Sequence, residues 1–150
     1  MTDQPEYLQI AWGELDTAEF PGAANNPVVL DYHVTTEGGS SPDQVSWCSS
    51  FVNWCVVSSG LSGTNSKAAR SWLLWGESTS ENEIGSVCVL WRVARDSWQG
   101  HVGFLVGYDA ENVYLLGGNQ SNRVRVSRYA KTRVLSYRRP VPVLAPTREA

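Results

Sequence analysis

The sequence predicts an α+β fold in which N-terminal helices pack on a C-terminal antiparallel β-sheet. Up to about residue 75, apolar side chains recur at helical spacing. From residue 86 onwards, they lie in short strand-like segments that polar turns separate. Helices that precede the strands, instead of alternating with them, are typical of α+β domains. A chain of 150 residues is long enough to bury the core of one such domain.

Four helical segments are predicted in the first half of the chain. Asn26 and Pro27 form an N-cap followed by a first-turn proline, which starts the second helix. A loop rich in Gly, Ser and Pro at 36–45 precedes the third, and Gly60 and Gly76 end the third and fourth. The predicted helices are 6–15, 27–33, 46–59 and 66–75.

Five strands are predicted in the second half, where β-branched and aromatic residues are frequent. The short polar turn at 109–112 joins two of them into a hairpin. We expect residues 1–140 to form the domain and residues 141–150 to form an extended tail that contains proline. The predicted strands are 86–91, 101–108, 113–120, 124–127 and 134–138.

Composition excludes several classes of function. The chain has a net charge of −3 and a pI of about 5.3, so we expect neither nucleic acid nor a membrane as a partner. No apolar run approaches the roughly 20 residues of a membrane span. Residues 1–6 lack the basic and apolar regions of a signal peptide. We therefore expect a protein that is made in the cytoplasm. We also expect it to be a monomer.

Three cysteines are too few and too scattered to form a disulfide framework. Cys48 and Cys55 would lie ~10.5 Å apart along one helix, beyond the ~7 Å limit for a disulfide. Together with Cys88, His33 and His101, they lack the ligand spacing of a zinc site, so no metal is predicted. We also expect Cys55 and Cys88 to lie in the core, and we assign no role to His33.

Cys48 lies in the first turn of the third predicted helix. The unpaired N–H groups and the positive end of the helix dipole favour a thiolate there, and the thiolate is the nucleophilic form of cysteine. The alternative is that Cys48 is a small buried hydrophobe, since it shares an apolar stripe with Phe51 and Cys55.

His101 stands at the start of one hairpin strand, and two side-chain amides stand at the end of the next. A three-residue loop would place Asn119 opposite His101, and a two-residue loop would place Gln120 there instead. Either amide could accept the ring N–H and fix the tautomer. We take Asn119 as the partner, and Cys48, His101 and Asn119 then form the catalytic set of a thiol hydrolase.

Four residues are candidates for contacting a substrate. Trp47 and Trp98 flank the predicted nucleophile and base, where their rings could line a groove, although most of the seven tryptophans are expected in the core. Gln44 could donate a second hydrogen bond to an oxyanion beside the backbone N–H of Cys48, or could be a solvated loop residue. Gln120 is the fourth candidate.

Four motifs, in this order, resemble those of the CHAP and NlpC/P60 group. More narrowly, they are similar to the small single-domain branch of CHAP-like peptidoglycan hydrolases found in phages and bacteria. The resemblance extends from about residue 6 to Pro140. It implies a papain-like fold, with Cys48 as nucleophile, His101 as base, Asn119 as third member and no cofactor. The motifs are 43–55, 68–76, 100–104 and 117–120.

The resemblance therefore implies hydrolysis of an amide bond in the stem peptides of bacterial peptidoglycan. Without a signal peptide, two routes to the cell wall are open. One is release as a phage endolysin through a holin-type pore. The other is injection by a secretion system as an antibacterial effector with an immunity-protein inhibitor. The alternative from another class is a non-catalytic module of the same fold that binds muropeptides.

Overall fold

The computed structural model describes residues 4–19, 25–36, 47–80 and 83–141. Residues 142–150 of the predicted tail, and Gln44, lie outside the described residues. The helices are α1 (Glu6–Trp12), α2 (Pro27–Tyr32) and α3 (Cys48–Ser58), with 3₁₀ turns at His33–Thr35, Ala69–Leu74 and Lys131–Arg133. The strands are β1 (Glu77–Ser78), β2 (Val87–Trp91), β3 (Gly100–Tyr108), β4 (Asn112–Gln120), β5 (Arg123–Ala130) and β6 (Val134–Arg139).

The strands form one six-stranded sheet in the order β1-β6-β2-β3-β4-β5, and all five pairings between neighbours are antiparallel. The helices precede almost all of this sheet in the chain, which confirms the predicted α+β fold. Within the part of the chain that the structure describes, no helix is long and apolar enough to cross a bilayer.

Two local predictions need correction. The segment expected to be a fourth helix is a 3₁₀ turn, Ala69–Leu74. Before it, the Ser66 hydroxyl accepts a hydrogen bond from the N–H of Ala68, a local bond that competes with helix formation. The short edge strand β1 was not predicted, because two residues carry no periodic pattern.

The main core lies between α3 and one face of the sheet. Phe51 and Val52 of α3 pack with Phe104 of β3 and Leu116 of β4, and all four side chains are fully buried. A smaller cluster covers the other face of the sheet. Its buried members are Cys88, Leu90, Leu105, Val113 and Leu115.

A glycine at the end of β4 brings α3 close to the sheet. A Cβ atom on Gly118 would lie 2.7 Å from the Cβ of Phe51 and 2.7 Å from the ring of Trp47. Since real side chains do not approach so closely, only glycine allows this packing. The contact places the N-terminal end of α3 beside the end of β4.

Candidate active site

Cys48 is the first residue of α3, and only 3% of it is exposed to solvent. The residue before it, Trp47, makes no side-chain hydrogen bond to cap the helix. The backbone N–H groups of a helix's first turn and the positive end of its dipole favour a negative charge at this position.

A cavity of about 140 Å³ opens onto Cys48. One wall comes from the residues that lead into the 3₁₀ turn Ala69–Leu74, and the other comes from the loop between β2 and β3. The lining is Cys48, Lys67, Ala68, Ala69, Arg92, Trp98, Gln99 and Gly100.

The wall that carries Trp98 is fixed by Arg70. Its Nε donates to the carbonyl oxygen of Gln99 at 2.8 Å, and its two terminal nitrogens donate to the carbonyl oxygens of Arg95 at 2.9 Å and Ala94 at 3.0 Å. Three charge-assisted bonds from one guanidinium hold this loop in place. Trp98 itself is 80% exposed and lines the cavity.

The opposite wall is held by Asn53 from inside α3. Its Oδ1 accepts hydrogen bonds from the N–H groups of Thr64 at 2.7 Å and Asn65 at 3.2 Å, and its Nδ2 donates to the carbonyl oxygen of Ser66 at 3.1 Å. The segment that leads to Lys67 is thereby tied to the helix that carries Cys48.

His101 lies in β3, and 8% of it is exposed. Its Nε2 is 2.8 Å from Gln120 Oε1 and 3.2 Å from the hydroxyl of Tyr129. Burial lowers the pKa of His101, but the charge of the Cys48 thiolate and the hydrogen bonds with Cys48 and Gln120 outweigh it, so the pKa is raised overall. The structure therefore brings Cys48 and His101 together.

The amide of Gln120 determines which ring nitrogen of His101 carries a proton. Gln120 Nε2 donates to the carbonyl oxygens of Leu115 at 3.1 Å and Arg125 at 2.6 Å, which leaves Oε1 to face the ring as an acceptor. His101 Nε2 must then be the N–H donor, and Nδ1 is the nitrogen that faces Cys48. This assignment follows from the hydrogen-bond network.

The structure gives His101 the amide of Gln120, in place of the predicted Asn119. Tyr108 pairs with Val113, so the hairpin closes with the two-residue turn that the sequence left open. A β-bulge midway along β3 then shifts the register by one residue. That shift alone would bring Asn119 back opposite His101.

A second irregularity in β4 decides the outcome. The register against β5 shifts between Gly117 and Gln120, and Asn119 has a φ of 58°, in the left-handed region that asparagine tolerates. This bulge adds one residue to β4, so the side chains after it point to the opposite face of the sheet from the one that simple alternation predicts. Gln120 therefore takes the face that was expected for Asn119.

A glycine makes room for the side chain of Gln120. A Cβ atom on Gly117 would lie 2.6 Å from Gln120 Oε1, and one on Gly103 of the neighbouring strand would lie 3.6 Å from it. In the structure they accommodate the amide that holds His101.

Trp47 does not line the cavity, contrary to expectation. It is fully buried, its ring stacks on Tyr32 at 5.7 Å between centroids, and its Nε1 donates to Glu19 Oε2 at 2.9 Å. The cause is the close approach of α3 to Gly118, which turns the ring of Trp47 into the core.

The other two cysteines lie in the core. Burial raises the pKa of Cys55 well above its usual value, as does the nearby charge of Glu14 to a smaller extent. Burial also raises the pKa of Cys88 to about 12. Both thiols are therefore protonated at neutral pH.

Tyr129 is a site residue that the sequence did not reveal. It lies in β5, where an aromatic residue is an ordinary strand former. Its ring centroid is 5.2 Å from that of His101. The alternation of side chains along β5 would have placed Tyr129 beside His101 only if the register between β4 and β5 near Gln120 had been known.

Among the described residues, no group of three or more His, Cys, Asp or Glu side chains is arranged to hold a metal ion. The functional groups that the site brings together are the thiol of Cys48, the imidazole of His101 and the amide of Gln120. A buried, hydrogen-bonded Cys–His pair at a helix N-terminus can attack a carbonyl carbon and transfer a proton to the leaving group.

Comparison with protein-family models gives no match, and comparison with curated proteins gives none either. Among solved structures, the chain is similar to a crystal structure described as "similar to lipoprotein, NLP/P60 family" from Staphylococcus aureus subsp. aureus Mu50, with a TM-score of 0.53 and 16% sequence identity. The match covers 92% of this chain and 41% of that one, so this chain spans less than half the length of its structural neighbour. At this identity, the likeness shows the fold.

Proposed function

We propose that this protein is a cysteine hydrolase that cleaves an amide bond in the stem peptides of peptidoglycan. The observation that carries the proposal is the hydrogen-bonded pair of Cys48 and His101 at the start of α3, with Gln120 holding the far side of the imidazole. The NLP/P60 fold of the structural neighbour supports the same class of reaction.

In the proposed reaction, the Cys48 thiolate attacks the carbonyl carbon of the scissile amide. The backbone N–H of Cys48 donates to the developing oxyanion at the helix N-terminus. The imidazolium of His101 then gives its Nδ1 proton to the departing nitrogen, the C–N bond breaks and a thioester remains. Water loses a proton to Nδ1 and attacks the thioester, which releases the acid product and restores the thiolate.

The lining of the cavity supports a peptide substrate that carries carboxylates. Lys67 and Arg92 line the cavity together with Cys48, and no described lining residue is acidic. The exposed ring of Trp98 adds a surface on which a sugar or a peptide plane can stack. Peptidoglycan stem peptides offer both features, since they carry free carboxylates and are joined to a sugar.

Two routes of delivery fit this activity, and we favour the injected antibacterial effector over the phage endolysin. The net charge of −3 is a poor match for an enzyme that must find an anionic wall unaided. An immunity protein would then inhibit the effector by occluding the small cavity at Cys48. Such a partner would need acidic groups to meet Lys67 and Arg92.

A non-catalytic muropeptide-binding module is the competing function, and digestion of purified peptidoglycan separates the two. The wild-type protein should release soluble fragments, whereas Cys48→Ala should release none because the nucleophile is lost. Cys88→Ala is the matched control, since it removes a sulfur atom from the core on the other face of the sheet. Mass spectrometry of the fragments would identify the amide that is cut.

Equal release by the wild type and Cys48→Ala would contradict the proposal. The proposal would also be contradicted if the wild-type protein binds peptidoglycan but leaves it intact. Binding retained by Cys48→Ala, with hydrolysis lost, would support the enzyme and show that the variant is folded.

A further inference from the structure

A tyrosine and an arginine lie in line behind the imidazole of His101, on the side away from Cys48. The hydroxyl of Tyr129 is 3.2 Å from Nε2, the same nitrogen that donates to Gln120. The two rings are inclined at 36°, with centroids 5.2 Å apart. Tyr129 therefore contacts both the donor nitrogen and one side of the imidazole ring.

Arg133 covers the outer face of Tyr129. Its guanidinium carbon lies 5.4 Å from the centroid of the Tyr129 ring and 6.0 Å from that of the Trp91 ring, and its Nε donates to the carbonyl oxygen of Trp91 at 3.2 Å. Trp91 Nε1 in turn donates to the carbonyl oxygen of Thr132 at 3.2 Å. The 3₁₀ turn Lys131–Arg133 is thus fastened to β2, and Arg133 is fixed over Tyr129.

We propose that Tyr129 is a positioning residue for His101 and that Arg133 holds Tyr129 in that role. The hydroxyl of Tyr129 shares the Nε2 proton with Gln120 and shields it from water, while the cation–π contact with Arg133 prevents the phenol from turning away. The reaction of the proposed function needs this arrangement, because His101 must keep Nδ1 directed at Cys48 through both proton transfers.

The phenol remains neutral throughout the working range of pH. Burial raises the pKa of Tyr129 to about 12, and the charge of the Cys48 thiolate adds to this effect. Tyr129 therefore acts through a hydrogen bond and packing, and it carries no charge that would compete with the thiolate for the imidazolium.

Several charged groups surround His101, and they act in opposite directions. Cys48 of α3 stabilises the imidazolium by its charge, and Arg133 of the Lys131–Arg133 turn opposes it. Lys67 and Arg92 line the cavity on the Cys48 side. Removing the positive charge of Arg133 should favour the imidazolium and raise the pKa of His101.

The sequence offers a direct spectroscopic test, because it contains only 2 histidines. In protein labelled with ¹⁵N-histidine, the ring signals of His101 can be assigned by their loss in His101→Asn. Tyr129→Phe should keep the Nε2–H tautomer but exchange that proton with water faster. Its kcat on peptidoglycan should fall about fivefold, the effect of one hydrogen bond, with KM little changed.

Arg133→Gln should move the titration of the His101 ring to higher pH, and the basic limb of the hydrolysis profile should move with it. Matched controls are Tyr114→Phe, whose hydroxyl bonds Asp109 at the far end of the hairpin, and the exposed Arg128→Gln in β5. Both controls should behave as the wild type does.

The NMR and hydrolysis results separate the two proposals. Unchanged proton exchange and kcat in Tyr129→Phe, with an unchanged His101 titration in Arg133→Gln, would overturn the positioning role even in an active hydrolase. The expected NMR changes in a protein that does not cut peptidoglycan would support the positioning role and count against the proposed function. If Tyr129→Phe fails to fold, proton exchange in Arg133→Gln decides the matter. Loss of the cation–π contact should speed exchange of the His101 Nε2 proton with water, and unchanged exchange would overturn the positioning role.

Discussion

The two histidines of this chain are both buried beside α3, yet their surroundings move the imidazole pKa in opposite directions. His101 faces the first residue of the helix, Cys48, and its pKa is raised overall. His33 faces Ser50, with Nδ1 2.7 Å from Oγ, and burial together with the charge of Lys67 lowers its pKa to about 4.

The difference shows that burial alone does not decide whether the pKa of an imidazole rises or falls. Burial disfavours the charged form of both rings, so the partner decides the result. The hydroxyl of Ser50 is neutral and cannot compensate, whereas the thiolate of Cys48 can. His33 Nε2 also has no hydrogen-bond partner among the described residues, as suits a ring that packs in the interior.

Replacing each histidine in turn should give the largest contrast in activity. His101→Ala should lower the rate of peptidoglycan hydrolysis by about 10³-fold or more. The reason is that Cys48 and His101 act as one unit, so losing either costs nearly as much as losing both. His33→Gln should keep near wild-type turnover per folded molecule, since the amide can still bond Ser50. Both expectations can be checked by measuring the rate of hydrolysis per folded molecule, with the folded fraction taken from circular dichroism. A severe loss of turnover in folded His33→Gln would remove the contrast.

The two amides at the end of β4 provide the second contrast. Gln120→Ala should lower kcat by about 10- to 100-fold, less than the loss of the base itself, because His101 keeps its position only in part. Asn119→Ala should mainly reduce stability, by about 1–3 kcal/mol, since alanine is strained at a positive φ.

Asn119→Gly serves as the control for backbone strain, because glycine adopts a positive φ readily. It should keep both the stability and the kcat of the wild type. A larger loss of kcat in Asn119→Gly than in Gln120→Ala would show that Asn119 holds the imidazole after all.

The smallest expected effect concerns the dependence of stability on pH. The folded pKa of His33, about 4, lies below its ordinary value of 6.5, so the unfolded chain binds a proton more readily. The corresponding stability is present above pH 6.5 and is lost as the pH falls towards 4, by about 2 kcal/mol after allowance for solvent screening. The free energies of unfolding of the wild type and His33→Gln, measured in urea, should therefore change differently with pH between 6.5 and 4. The same pH dependence in both proteins would contradict the lowered pKa of His33.

His101 should contribute with the opposite sign. Its folded pKa is raised, so its contribution to stability is present below pH 6.5 and is lost as the pH rises through the folded pKa. In the same unfolding series, the wild type should exceed His101→Ala in free energy of unfolding at acidic pH. This difference should become smaller as the pH rises through the folded pKa of His101.

Local patterns predicted most of the fold. Asn26 and Pro27 start α2 as expected, with Asn26 Oδ1 accepting a hydrogen bond from the N–H of Val28 at 2.9 Å. Cys48 begins α3, where the sequence placed it in the first turn. Helix capping and hydrophobic periodicity depend on residues that are close together in the chain, so they can be recognised from the sequence alone.

The partner of His101 could not be predicted in the same way. It depends on two bulges in adjacent strands, and each of them changes which side chains face the imidazole. The burial of Trp47 likewise depends on Gly118, a residue distant in sequence and close in space. These features arise from packing between elements, which the residue pattern of a single element does not contain.

The most direct test of the Cys48–His101 pair is brief labelling of the native protein with iodoacetamide at neutral pH, followed by mapping of the adduct. Cys48 should react quickly, because the helix N-terminus and the neighbouring His101 favour the thiolate form of its side chain. Cys55 and Cys88 should stay unlabelled, since burial raises the pKa of both thiols. Equal labelling of all three cysteines, or none at Cys48, would contradict the account.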